Sequence, residues 1–139
     1  MSVTYDPQNI FAKILRGEMP CHKVFEDEHA LAFLDIFPRA EGHTLVIPKV
    51  AARGLLDMPA AALGPYMQSV QKVAAGVKKA LGAEGLTIQQ FNESAGGQVV
   101  FHLHFHILPR WDGVSLKPPG TASDKARLEA NAAKLRAAF

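Results

Sequence analysis

Phe101-His102-Leu103-His104-Phe105-His106-Ile107-Leu108-Pro109 alternates apolar and imidazole side chains with a period of two. Successive side chains of an extended strand point to opposite faces. This reading puts His102, His104 and His106 on one face, and Leu103, Phe105 and Ile107 on the other, free to enter a core. The predicted strand runs from about residue 100 to 108 and is stopped by Pro109. Before it lies a loop, Asn92-Glu93-Ser94-Ala95-Gly96-Gly97-Gln98, and before that Leu86 to Phe91 reads as another strand.

Further upstream, Leu63, Met67, Val70, Ala74, Val77 and Leu81 follow a four-three spacing, which predicts an amphipathic helix closed by Gly82. Residues 43–47 read as a strand ended by Pro48. Residues 21–26 and 30–34 read as a hairpin around Asp27-Glu28-His29. Asp6-Pro7 supplies a cap and a first helical proline for a short helix with Ile10, Phe11, Ile14 and Leu15 on one face, ended by Gly17. After Trp111, Pro118-Pro119-Gly120 breaks the chain, and Ser123-Asp124 caps a last helix whose Leu128, Leu135 and Phe139 can dock. The order predicts an α+β fold: one mostly antiparallel five-stranded sheet with helices packed on it. We expect a single domain over residues 1–139, with a core at about 9–110 and a tail and helix at 111–139.

The bulk numbers narrow the function classes. The chain has 139 residues and a net charge of +2. That charge is too mild for a nucleic-acid-binding face but suits an anionic small molecule. One cysteine, Cys21, excludes an internal disulfide and suits a reducing compartment. Residues 1–10 lack a signal-peptide pattern, and no apolar run reaches membrane-span length. The expected location is cytoplasmic, with neither membrane nor nucleic acid as partner.

Three imidazoles on one face admit two chemistries. Histidines two apart on a strand can chelate a metal, although no Cys or acidic residue lies within five positions of the triplet. Alternatively, a neutral imidazole near pH 7 is a competent nucleophile toward phosphorus. Gly96-Gly97 favours the second reading, because glycines let backbone N–H groups approach an anion.

The segment from Gly96 to Arg110 resembles the signature of the histidine triad (HIT) family. Three more blocks agree in order: residues 10–20, Ala32-Phe33-Leu34-Asp35-Ile36 and Gly42-His43-Thr44-Leu45-Val46-Ile47-Pro48-Lys49. With a histidine rather than a glutamine at position 106, the pattern is most similar to the Hint branch and its bacterial relatives. The resemblance implies a hydrolase or transferase acting at the α-phosphate of purine nucleoside phosphoramidates through a nucleotidyl-histidine. Dinucleoside polyphosphate hydrolysis and a nucleotide-binding regulatory role are the alternatives. It implies His104 as nucleophile, His102 and His106 on the phosphate or leaving group, and His43 orienting His104. Asp35 would hold the ribose hydroxyls, with Ile36 beside it. Ile10, Phe11, Ile14, Met19 and Phe33 would line the base slot. Asn92, Gly97, Gln98 and Val99 would hold the phosphate side, and Phe105 counts among the nucleotide-binding residues. A homodimer with a sheet continued across both chains is implied as well.

Two departures from the family pattern stand out. Some bacterial members bind a structural zinc at positions that here carry Asn9, Ala12 and Ala51, so neither a metal nor any other cofactor is expected. Val99 replaces a common Ser or Thr and removes a side-chain donor while keeping its backbone N–H.

Overall fold

The computed structural model describes residues 4–139. Five strands form one antiparallel sheet: β1 (Lys23–Glu26), β2 (Ala30–Leu34), β3 (Thr44–Pro48), β4 (Gly85–Gln89) and β5 (Phe105–Arg110), in the order β1-β2-β3-β5-β4. Alternation along the strands divides the core in two. Ala30, Ala32, Leu34, Val46 and Ile107 face one side, where helices α2 (Ala60–Leu81) and α3 (Lys125–Arg136) pack. Leu31, Phe33, Leu45 and Ile47 face the other, under helix α1 (Ile10–Leu15). Helices therefore cover both faces, and every residue of β2 and β3 is buried. At roughly 25 cal/mol per Å² of apolar surface, these two central strands anchor the fold.

Several local expectations shift for identifiable reasons. Helix α1 starts at Ile10 rather than behind Asp6-Pro7. Asn9 is its N-cap and accepts from Ala12 N at 2.9 Å, while Asp6 caps a preceding turn through Gln8 N at 2.8 Å. Asn is as good a cap as Asp, and the extra turn absorbs the proline. The long helix ends as expected, with Gly82 left-handed at φ 61°.

The main difference lies in the histidine segment. The ladder of β5 begins only at Phe105, which pairs with Val46, and residues 99–104 approach it as irregular chain. Leu103 N bonds Ala52 O at 2.8 Å instead of a neighbouring strand. The alternation of faces survives, with Leu103 in the core beneath α2 and His104 on the α1 side.

Residues 111–139 fold back on the same chain. Trp111 Nε1 donates to Gly82 O, Lys117 N to Arg39 O at 2.7 Å, and Ser123 N to Ile36 O. From α3, Asn131 and Arg127 both reach Glu41 at 2.8 Å. The tail thus straps the loop between β2 and β3, where Asp35 sits. Leu128 and Leu135 are buried as expected, and Phe139 lies on Phe25 and over Gly76.

Gly42 closes that loop at φ 78°, and a Cβ there would stand 2.1 Å from Leu81 Cδ1. Gly42→Ala must adopt a left-handed backbone and push Leu81 aside. A loss of about 2 kcal/mol is expected, read as a lowered urea midpoint. An unchanged midpoint would show that the loop relaxes freely.

Candidate active site

His43, His104 and His106 meet on the α1 face. The ring centroids of His104 and His106 are 4.9 Å apart, and those of His43 and His106 5.2 Å. The hydrogen bonds determine where each proton sits. Arg39 N donates to His43 Nδ1 at 3.1 Å, so His43 carries its proton on Nε2. That Nε2–H donates to His106 Nδ1 at 2.9 Å, which leaves the proton of neutral His106 on Nε2. His104 Nδ1 lies 2.7 Å from the carbonyl of His102, which can only accept. His104 is therefore the Nδ1–H tautomer, with a bare lone pair on Nε2. Among the described residues, neither His104 Nε2 nor His106 Nε2 has a partner.

Two expected roles change with this geometry. His43 bonds His106, not His104; the backbone of the strand itself orients His104. His102 is fully buried, with Nε2 on Pro48 O at 2.9 Å and Nδ1 on Tyr5 Oη at 2.6 Å. Both ring nitrogens are committed, so the ring is not available to a phosphate. The irregular path of residues 99–104 turns this ring inward. Tyr5 was not found from sequence because it lies 97 positions from His102 and belongs to no motif.

Desolvation pushes His43 and His102 down to about 4 and His106 to about 3, and it lowers His104 as well. These rings stay neutral in the folded chain while an unfolded chain protonates near 6.5. Their contribution to stability is complete above about pH 6.5 and is lost as pH falls toward 4, because the unfolded state then binds more protons. Asp35, raised by desolvation, acts oppositely in the carboxylate range. The urea midpoint should decline steadily from about pH 7 to 4; a flat profile would contradict neutral buried rings.

Asp35 Oδ1 accepts from Phe37 N at 2.8 Å, and Oδ2 lies 3.6 Å from His43 Nε2. The carboxylate is thus both a turn former and a wall of the histidine cluster. Ile36 and Phe37 beside it stay about half exposed, at 50% and 46%; Phe37 was not anticipated. Phe11 packs its edge on His104 at 4.9 Å and on Phe33 at 5.4 Å. Phe11 and Phe33 are buried, Ile14 is partly so, and Ile10 and Met19 remain exposed. Phe105 does not join the expected nucleotide contacts. Its ring packs on Tyr66 at 5.9 Å, on the α2 side of the sheet.

The loop before the strand is held by its own bonds. Gln98 is buried; its Nε2 donates to Arg53 O and Val100 O, and its Oε1 accepts from Glu93 N. Gly97 N and Gln98 N are spent on Ser94 O and Glu93 O. Of the three expected backbone donors, that of Val99 is the one without a partner among the described residues, and the Val99 side chain is 84% exposed. Glu93 has φ 66°, a strained value for a non-glycine; Arg53 holds it through two bonds of 2.9 Å. Asn92 pins this loop to its neighbour, accepting from Leu55 N at 2.9 Å.

Asp35, His43 and His106 also place three donor atoms within 4.8 Å of one another, a set that a divalent metal could use. A proton already bridges the two rings there. The zinc-ligand positions hold a helix cap at Asn9, buried Ala12 and exposed Ala51. Among the described residues no helix is long and apolar enough to cross a membrane.

An antiparallel α+β sheet that carries a buried histidine cluster beside a glycine loop defines a class of protein, the histidine triad fold. The match of residues 16–113 to the HIT domain model places the chain in that family, and it belongs there. A HIT-like protein from Bartonella henselae has a solved structure that superposes with a TM-score of 0.93 at 51% identity, covering 99% of this chain and 100% of that one. The adenylylsulfatase HINT3 of Arabidopsis thaliana is 35% identical over 89% of this chain and 66% of its own. The adenosine 5′-monophosphoramidase HNT1 of Saccharomyces cerevisiae is 37% identical over 78% of this chain and 66% of its own. The chain is thus a HIT-family protein, and two of the relatives it resembles are named as hydrolases.

Proposed function

We propose that the protein hydrolyses purine nucleoside phosphoramidates through a nucleotidyl-His104 intermediate. The observation that carries this reading is the tautomer set. A buried neutral His104 presents the Nε2 lone pair, and His106 beside it carries a hydrogen on Nε2. His104 Nε2 attacks the α-phosphorus, the P–N bond breaks, and the nitrogen, protonated from solvent, departs as the amine; the hydrolysing water later returns that proton. His106 Nε2–H and Val99 N–H stabilise charge on the phosphoryl oxygens. Water then attacks the phosphorus, releasing the monophosphate and restoring His104. Asp35 accepts from the ribose hydroxyls, a pairing suited to a carboxylate. Ile10, Ile14 and Met19, with Ile36 and Phe37, offer apolar surface to the base above Phe11 and Phe33. No metal or other cofactor enters the reaction.

The same attack would cleave a phosphoanhydride, and the likeness to an adenylylsulfatase supports that as the second reading. Val99, lacking the hydroxyl of many relatives, leaves the departing group without a side-chain donor, which suits groups that leave easily. Faster cleavage of diadenosine tetraphosphate than of an adenosine phosphoramidate would favour the anhydride. Intact-mass analysis in single turnover tests both: a nucleotidyl adduct on His104 supports the mechanism, and product formed with no adduct refutes it.

We further propose a cytoplasmic homodimer. Among the described residues, strand β4 pairs only with β5 and leaves an open edge with Ile88 exposed, where a second copy could continue the sheet.

A further inference from the structure

The amino-terminal arm touches two members of the triad: Tyr5 bonds His102, and Phe11 packs on His104. From this juxtaposition we infer that Tyr5 is a positioning residue that holds His104 in its nucleophilic tautomer. The inference rests on the reading of His104 as nucleophile.

The geometry runs from the arm to the reacting atom in two steps. Pro48 O can only accept, so His102 carries its proton on Nε2 and leaves a bare lone pair on Nδ1. That lone pair is buried and needs a donor. Tyr5 O–H supplies it at 2.6 Å, with the two rings edge to face at 5.6 Å. A ring pinned at both nitrogens anchors the Cα of His102 and so narrows the backbone positions open to its carbonyl. That carbonyl accepts from His104 Nδ1 at 2.7 Å.

The second step matters because a free neutral imidazole prefers the Nε2–H form, whose lone pair sits on Nδ1 and leaves none on the nitrogen that is free of protein partners. The His102 carbonyl imposes the opposite form. No ladder bond assists it, since residues 99–104 lie outside the sheet. The ring bonds of His102 share the hold on this stretch with Leu103 N on Ala52 O, Gln98 Nε2 on Val100 O and the Arg53 guanidinium over the Phe101 ring at 4.2 Å. Among these, the ring bonds alone bear on the residue whose carbonyl meets His104.

Tyr5 is itself placed firmly. Gln8 N and Asn9 N bond Asp6, and the Arg16 guanidinium reaches Pro7 O at 2.7 Å. The arm thus enters the site as a braced turn.

Nitrogen-15 NMR of the histidine rings in Tyr5→Phe, beside steady-state kinetics with an adenosine phosphoramidate, tests this. Phenylalanine keeps the ring and its packing and removes only the hydroxyl. Wild type should show the Nε2–H form at His102 and the Nδ1–H form at His104. In Tyr5→Phe the His104 signal should move toward the Nε2–H form, and kcat should fall about 10- to 100-fold with KM changed by less than about twofold. Tyr5→Leu should match Tyr5→Phe in kcat and differ mainly in thermal stability, because the hydroxyl rather than the ring carries the effect. The inference is overturned if Tyr5→Phe keeps the Nδ1–H form at His104, or if that form is lost while kcat holds. If wild type cleaves no nucleoside phosphoramidate or anhydride, the proposed function fails, and the ring spectra still decide the positioning role.

Discussion

Replacing His104 with alanine is expected to lower kcat by about 10⁴-fold or more and to abolish any nucleotidyl adduct. The expectation follows from the tautomers. Among the described residues, His104 Nε2 is the triad nitrogen left with both a lone pair and no partner. His43 and His102 have both nitrogens engaged, and His106 bears its free hydrogen where a nucleophile would need electrons. No neighbour can therefore take over the attack. Burial adds to the effect. Desolvation lowers His104, so the ring is neutral and reactive at pH 7 rather than protonated. Folding should survive the change, since alanine keeps the backbone and the one donor it removes is the ring N–H to the His102 carbonyl. The His102 carbonyl loses one partner and can accept from water entering the vacated space. Rapid-quench kinetics and intact mass would read the result. Residual turnover above about 1% of wild type would point to another nucleophile.

His106→Ala is expected to cost about 10²- to 10³-fold in kcat, the usual loss when one preorganised donor to a developing oxyanion is removed. His106 is suited to donating rather than titrating. Burial and the neighbouring rings push it down to about 3, so it remains a neutral donor across the physiological range. The chain from Arg39 N through His43 keeps its hydrogen on Nε2. The loss should appear mainly in kcat, because the donor meets its full partner only as charge builds on the phosphoryl oxygen. A rise in KM with kcat unchanged would instead make His106 a ground-state contact. The adduct on His104 should still form in this variant, only more slowly. That separates the two histidines: one variant forms no adduct, the other forms it late.

Much of this site was legible in the residue order. The period-two alternation at 101–108 placed His104 and His106 on the face opposite Ile107, as the structure does. Gly82, Pro48 and the four-three spacing of α2 marked real boundaries, because local sterics and side-chain periodicity act within a few residues. The reading failed where distant groups compete for a backbone or a ring. His102 looked like a third cleft histidine, yet Pro48 and Tyr5 claim both its nitrogens. Phe105 looked like a nucleotide contact, yet Tyr66 covers it. Gln98 and Gly97 looked like phosphate holders, yet the loop uses their donors to close itself.

What the sequence by itself determined, then, is the set of strands and helices, the face on which the imidazoles fall, and the kind of chemistry that neutral histidines beside a glycine loop can perform. What only the tertiary structure decided is which nitrogen carries each proton. That depends on acceptors at Pro48 and His102 and donors at Arg39 and Tyr5, brought together by packing across up to 97 positions of chain. A tautomer is fixed by hydrogen-bond partners in space, and spacing along the chain carries no information about them.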